Sequence, residues 1–486
     1  MYKRIFRFVD SIHFEYLLLV IIVVAGFVVR LYKFQSPLAD WHSWRQADTA
    51  SVTRIYVNEG VNLLYPRYYD ISSVQSRLFN PNGYRFVEFP IYNLFHTVSH
   101  RLFSGITFEA SGRLVTIMAT LISGLCLYYV GKTVLGKWGG LLSAFYFLLL
   151  PYNVYFGRVI LPDPLAVMFA LLAVVIMILF TNTKRASMLY LSAVLFSLAL
   201  LVKPHAVFFG IPLAYLIFRK YPMRRVLQSA KFWLAAVLVI LPVVTWRAWI
   251  MAHPEGIPLW QWSFNGDGIR FRPSFWRWIF GERLAKIILG FWGLIPFSFG
   301  VMTLKKKIEL VHVFLLASLL YMVIFATANV KHDYYQIFVI PSVALALSWG
   351  TLVLWKADLF DVLLRRTMLI FSVGMMFMMS LFLVKDQFQI INDNILRAGE
   401  TADRILPKDS HVIAPYNGDT AFLYQTRRFG WPVVTGSIDD MISQGADYYV
   451  SVSKHDTDTL QFRKLFVTLE ETDEFIILDL HQRLSL

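Results

Sequence analysis

The stretch FEYLLLVIIVVAGFVVRL, Phe14–Leu31, decides which solvent this chain uses. Its only charged residues are Glu15 near one end and Arg30 near the other. A helix crosses the hydrocarbon core of a bilayer in about 20 residues, with a range near 17–25, so the run is long enough to span it. A basic start, Lys3, Arg4 and Arg7, precedes it, and no small-residue cleavage site follows. It therefore reads as a retained first helix, not a cleaved signal peptide.

Working outward, runs of the same kind recur at Leu114–Val130, Gly139–Tyr155, Leu165–Phe180, Phe232–Ile250, Ile287–Leu304, Leu310–Thr327, Tyr335–Leu354 and Met368–Val384. Two shorter ones, Met188–Val202 and Ala206–Phe218, flank Lys203-Pro204-His205. Counting both gives eleven crossings. Composition agrees: 57% of the 486 residues are hydrophobic and 16% are charged, where a soluble domain carries roughly 25% charged residues. The net charge of +14 does not point to nucleic acid, because Lys and Arg gather in short loops between apolar runs. The one cysteine, Cys126, excludes an intramolecular disulfide.

The positive-inside rule orients the chain. Basic loops at Lys3/Arg4/Arg7, Lys132/Lys137, Lys184/Arg185, Arg219/Lys220/Arg224/Arg225, Lys305/Lys306/Lys307 and Lys356/Arg365/Arg366 all fall on one side if the N-terminus is cytoplasmic. Merging the two short runs would place the Lys305–Lys307 triplet outside, so both are kept. The C-terminus is then extracytoplasmic, and the expected location is the cytoplasmic (inner) membrane. Residues 1–384 are expected to form the membrane domain, with a large outward loop at 34–112. Residues 385–486 are expected to form a small extracytoplasmic α/β domain, with a helix over Asn392–Leu406 and strands near His411–Pro415, Tyr448–Ser453 and Phe475–Leu480.

Ionisable groups at the outward helix ends carry the chemical signal, because charge near a bilayer is costly. ADWHSWRQADTASVTR (Ala39–Arg54) packs Asp40, His42, Arg45 and Asp48 among tryptophans. A carboxylate there can take a proton from an acceptor hydroxyl; the plain alternative is an interfacial segment with Trp at the headgroup level. Glu88 stands between apolar residues before Pro90, either in a pocket or as a helix cap. Asp163, between two prolines, fits an N-cap. Arg158 lies on the side that generally lacks basic residues, and a phosphate would explain it. Lys203 and His205 form a second cationic point, with snorkelling the alternative for Lys203. Lys331, His332, Tyr334 and Tyr335 form the densest cluster, suited to an anionic lipid headgroup and a sugar ring, or to an aromatic belt. The second outward loop adds His253, Glu255, Asp267, Arg270 and Arg272 without an internal ranking. A base together with an anion clamp suits transfer from a lipid phosphate, whose departing anion needs charge stabilisation.

These residues resemble the GT-C membrane glycosyltransferases, in particular the protein mannosyltransferase and aminoarabinose transferase branch. RFVEFP (Arg85–Pro90) resembles an R-x-x-E-K-P element, with Phe89 in place of Lys. RVILPDP (Arg158–Pro164) resembles an outward turn carrying a second acid, Asp163. KPHAVFFGIPL (Lys203–Leu213) is similar to a K-x-x-x-L-x-x-P-L helix start, and HDYYQIFVIP (His332–Pro341) to an H-x-Y-Y-x-x-x-x-P segment. GADYYVSVS (Gly445–Ser453) resembles part of the outward α/β domain. The family opens its first loop with Asp-Glu about eight residues before an Arg; here that spacing from Arg54 lands on Arg45 and Gln46. The resemblance then leaves Asp48 as the base, with Asp40 as the alternative. It implies a polytopic α-helical GT-C fold with about eleven transmembrane helices. It also implies a polyprenyl-phosphate sugar donor, inverting transfer, and a glycan, lipid or protein acceptor outside the cytoplasmic membrane. A divalent metal near Glu88 is consistent with some relatives. A lipid transporter or flippase is the competing class, but the internal repeats typical of transporters are not seen. A non-catalytic assembly factor would leave the loop-one acids without a role.

Overall fold

The computed structural model describes residues 12–303, 309–356 and 361–484. The basic residues Lys3, Arg4, Arg7 and Lys305–Lys307, and Leu304 at the end of one apolar run, lie outside those described. In chain order the main helices are α1 (Ile12–Val29), α2 (Ser43–Glu59), α3 (Ile91–Leu102), α4 (Phe108–Leu149), α5 (Asp163–Thr183), α6 (Ala186–Val202) and α7 (Gly210–Lys220). They continue with α8 (Ala230–Ile250), α9 (Leu294–Met302), α10 (Leu310–Ile324), α11 (Ile340–Lys356), α12 (Val362–Val384), α13 (Asn394–Ile405) and α14 (Thr420–Thr426).

The chain forms two compact units. One gathers Met1–Phe34, Arg113–Trp246 and Trp260–Asp386; the other gathers Gln35–Gly112, Arg247–Leu259 and Gln387–Leu486. The edge at 386/387 lies two residues from the 384/385 boundary expected from polarity. Loop one, however, groups with the tail and not with the apolar helices.

In the apolar unit, α1, α4, α5, α8 and Val362–Phe388 are long and apolar enough to cross a membrane, while α6, α10 and α11 are apolar but shorter. Among the described residues the spanning-length helices are thus fewer than the eleven runs expected, because several runs are interrupted. α4 holds two runs: Gly136, at φ 79° and ψ −175°, folds it into two limbs. A Cβ on Gly131 would lie 2.5 Å from Ser143 Oγ, so the limbs pack through small residues. The run Ile287–Leu304 breaks as well. A π-helix ends at Ile288, Gly290 and Phe291 take φ of 49° and 60°, and α9 starts only at Leu294. A break among apolar helices strands carbonyls that lipid cannot satisfy. Here Ser380 Oγ donates to Ile287 O at 2.8 Å and Ser372 Oγ to Trp292 O at 2.7 Å, both from α12. α9 meets α11 closely, since a Cβ on Gly350 would lie 1.6 Å from Pro296 O.

The polar unit is built on a five-stranded sheet of order β2-β1-β3-β5-β4. β1 (Val412–Ile413) pairs in parallel with β2 (Gly430–Trp431) and β3 (Tyr448–Ser451); β5 (Ile476–Arg483) is antiparallel to both β3 and β4 (Phe466–Glu471). Trp431, Phe466, Ile476 and Leu478 fill its core. Loop one covers the β2 edge: Ile71 N donates to Gly430 O at 3.0 Å and Gly430 N to Tyr69 O at 2.9 Å. That pairing explains why loop one groups with the tail, since an open strand edge needs a partner.

Candidate functional site

The polar unit's acids are organised by α2. Its sequence, SWRQADTASVTRIYVNE, is polar, yet Arg45, Gln46, Asp48, Thr49, Ser51 and Thr53 are all buried. Charged residues are almost never fully buried without a partner, and here the partners are specific. Asp48, with no exposed surface, accepts from Arg85 Nη2 on one oxygen and from Thr420 Oγ1 on the other, each at 2.7 Å. Arg85 continues to Gln75 Oε1 at 3.1 Å. Asp40 accepts from Gln46 Nε2 at 2.7 Å. Arg45 pairs with Glu88, whose side chain is 13% exposed. Just ahead of α2, His42 takes φ 56° and ψ 35°. That left-handed conformation in a non-glycine residue is often found where a site demands it.

The geometry separates the two candidate bases. Asp48 is an ion-paired anchor: Arg85 bonds one of its oxygens and Thr420 the other. Asp40 accepts from a neutral amide, Gln46, on one oxygen. Next to Asp48 is a carboxyl that the sequence reading passed over, Asp419. It caps α14 by accepting from Ala421 N at 2.7 Å, and burial, aided by the charge of Asp48, pushes it up to about 6. Arg85, Gln46 and Thr420 were likewise not singled out; Arg85 alone had a visible signal, at the head of the RFVEFP motif.

The apolar unit holds the other candidates. Lys203 Nζ lies 3.7 Å from Asp163 Oδ2, and both side chains are almost wholly buried. Arg158 is fully buried and donates to Tyr32 O. Two further buried arginines behave alike: Arg113 donates to Phe34 O at 2.9 Å, and Arg30 donates to Gly26, Leu148 and Asn153 carbonyls at 2.7–2.9 Å. The carbonyl thus accounts for the position of Arg158 without a phosphate. His205 sits in an aromatic nest, 4.2 Å from the Phe325 ring centre and 5.4 Å from that of Tyr335. Tyr334 and Tyr335 are buried and stacked on each other at 4.5 Å, so neither offers a free face to a sugar. His332 stacks on Tyr334 at 5.5 Å, while Lys331 is exposed. Arg283, also overlooked in the sequence, donates to Val330 O at 2.5 Å and holds the start of this segment. In the second loop, Arg270 donates to Val323 O and Ile324 O at 2.7 and 2.6 Å, satisfying the open carbonyls at the end of α10. His253 belongs to the polar unit, where it packs edge-on to Tyr65 and Tyr84.

Among the described residues, no group of three or more His, Cys, Asp or Glu is placed to hold a metal ion. Glu88, the metal candidate, faces the Arg45 guanidinium, which occupies the place a cation would take. The residues present do not fit a metal held by protein ligands, and no step below runs through one.

Residues 88–249 match the family model described as dolichyl-phosphate-mannose-protein mannosyltransferase. No curated protein matches the chain by sequence. Among solved structures, ArnT from Cupriavidus metallidurans bound to undecaprenyl phosphate superposes with a TM-score of 0.65 at 13% identity, over 94% of this chain and 97% of that one. The oligosaccharyltransferase of Archaeoglobus fulgidus, in complex with Zn and sulfate, gives a TM-score of 0.60 at 10% identity over 90% of this chain and 68% of that one. Arabinofuranosyltransferase AftD from Mycobacteria gives 0.54 at 12% identity, over 95% of this chain and 41% of that one. At such identities these likenesses establish the shared fold. The family model covers a third of the chain, and several helices of the shared fold are long and apolar enough to cross a membrane.

Proposed function

We propose that this chain transfers a monosaccharide from a polyprenyl-phosphate donor to a glycan, lipid or protein acceptor on the outer face of the cytoplasmic membrane. The observation that carries this reading is the fold shared over nearly the whole chain with ArnT, which was solved with undecaprenyl phosphate bound.

In the reaction, the acceptor hydroxyl oxygen attacks the anomeric carbon, and the bond from that carbon to the phosphate oxygen breaks. The polyprenyl phosphate leaves with the electron pair, and the configuration inverts. The hydroxyl proton passes to a carboxylate, for which we favour Asp40, bonded by the neutral amide of Gln46, over Asp48, which is ion-paired to Arg85. The leaving phosphate gains a negative charge, and a preorganised cation stabilises it most where water is excluded. Lys203 suits that role: it is a buried cation, held 3.7 Å from the Asp163 carboxylate. Arg45 is the second clamp candidate, provided its pair with Glu88 opens.

The test is incubation of the purified chain, in detergent or proteoliposomes, with a radiolabelled polyprenyl-phosphate sugar and a panel of glycan, lipid and protein acceptors. Sugar transfer lost in Asp40→Asn supports the reading. Passage of the lipid across the bilayer with no transfer to any acceptor would replace it with the transporter class.

A further inference from the structure

Within the polar unit lies a cavity of about 630 Å³ that plays no part in the chemistry above. It is within the range of small-ligand sites, roughly 300–1,000 Å³. Four of its lining residues are cationic, Arg54, Lys408, Arg427 and Arg428, against two carboxylates, Asp403 and Glu109. Three of the cations converge on Asp403: Lys408 Nζ at 2.6 Å, Arg428 Nη1 at 2.8 Å and Arg427 Nη1 at 3.0 Å. One carboxylate cannot neutralise three cations, so the cavity wall keeps an excess of positive charge.

The cations differ in how they are held. Arg428 is 1% exposed and serves as framework: it donates to Pro407 O at 2.6 Å and Leu406 O at 2.7 Å, tying off the end of α13. Arg54 is also fixed, by Glu109 at 3.0 Å and by the Tyr424 ring 3.9 Å from its guanidinium carbon. Arg427 and Lys408, at 58% and 75% exposed, keep their donors open to a ligand. Arg427 moreover occupies the position just past α14 at φ 53° and ψ 31°, where helices usually place glycine. A long charged side chain in that left-handed conformation costs backbone energy, and such strain concentrates where it serves a function. Two aromatic rings, buried Tyr69 and half-buried Phe108, also line it. A plain solvated basic face would need neither the enclosure, nor the strain, nor the rings.

We propose that this cavity binds an anionic sugar unit of the acceptor, one bearing a carboxylate or a phosphate. Arg427 and Lys408 grip the anion, and the half-buried Phe108 flanks the sugar. The assignment rests on the transferase reading for the word acceptor, and on the cavity alone for the ligand chemistry. It makes the acceptor an acidic glycan or glycolipid.

Binding is measured by calorimetry on the purified full chain, with trigalacturonate, glucose 6-phosphate, maltotriose and inorganic phosphate as probes. The expected result is that one or both charged sugars bind at least about tenfold more tightly than maltotriose and than inorganic phosphate, and that added salt weakens them. The pair of charged probes tells carboxylate from phosphate preference. The double variant Lys408→Gln/Arg427→Gln, altered only at exposed side chains, should lose that preference while its thermal transition stays near that of the parent. Equal binding of maltotriose, equal binding of inorganic phosphate, no binding by any probe, or an unchanged preference in the folded double variant would each overturn the proposal. Donor-lipid turnover, followed separately on the parent chain, decides the transferase reading whichever way the binding result falls.

Discussion

The two units use their buried cations in opposite ways. In the apolar unit, Arg30, Arg113, Arg158, Arg270 and Arg283 donate to main-chain carbonyls and so close helix ends and breaks that lipid cannot solvate. In the polar unit, Arg45, Arg54 and Arg85 meet carboxylates, and Arg428 meets both the Asp403 carboxylate and the carbonyls past α13. The difference teaches how to read a charge near a membrane. An arginine bonded to carbonyls is explained by the fold, whereas a buried ion pair in apolar surroundings asks for another reason. Lys203 with Asp163 is such a pair in the apolar unit, and that sets it apart from Arg158.

The sharpest break of this comparison comes from the acids. Asp40→Asn should lower transfer by about 10²- to 10⁴-fold, the usual contribution of a general base, while thermal unfolding stays close to the parent. Asp48→Asn should act mainly on stability. It leaves Arg85 as an uncompensated buried charge, at a cost of about 3–5 kcal/mol read from chemical or thermal unfolding, and Arg85→Met in the same chain should recover part of it. If instead Asp48→Asn keeps its stability and loses only transfer, the two acids exchange roles.

A second pair of variants probes the cations. Lys203→Met should raise the donor KM by about tenfold, the loss of one charge-assisted contact of roughly 1.4 kcal/mol. Arg158→Met should leave donor KM unchanged and lower the unfolding temperature, because it strands the Tyr32 carbonyl. Equal effects on KM would erase the distinction between the two kinds of cation.

The smallest effect is a pH dependence. Asp70, in the loop-one segment beside β2, is pushed up to about 6 by burial, against the opposing hydrogen bond from Ser72. Its folded value lies above its unfolded one, so the folded state holds the proton more tightly. This stabilisation is full below about pH 4 and is lost as pH rises toward 6. Asp70→Asn should flatten that part of the curve of unfolding temperature against pH; an unchanged slope would assign it to another group.

Much of the fold was legible because hydropathy is a local signal. Each apolar run can be read from its own residues, and its caps and flanking charges lie within a turn or two. The interruptions were harder to see. The break after Ile288 depends on positive φ at Gly290 and Phe291 and on hydroxyls from Ser372 and Ser380, some 80–90 residues away. In the tail, β2 spans two residues and β4 ends in two adjacent acids, Glu470 and Glu471, so neither stood out from its neighbours. Site residues were found wherever chemistry needs a charged type at a helix end, but their partners were not. Asp48 meets Thr420 across 372 positions, and no spacing rule reaches that far. The same holds for Arg158: its outward position suggested a phosphate, and only the Tyr32 carbonyl, 126 positions earlier, supplies the plainer cause.

The account stands most directly on one measurement, the fate of the sugar on a radiolabelled polyprenyl phosphate mixed with the purified chain and an acidic glycan acceptor. The account predicts label on the acceptor with inverted anomeric configuration, and its loss in Asp40→Asn at unchanged folding. Label that stays on the lipid with the parent chain, across neutral and acidic acceptors alike, would contradict it.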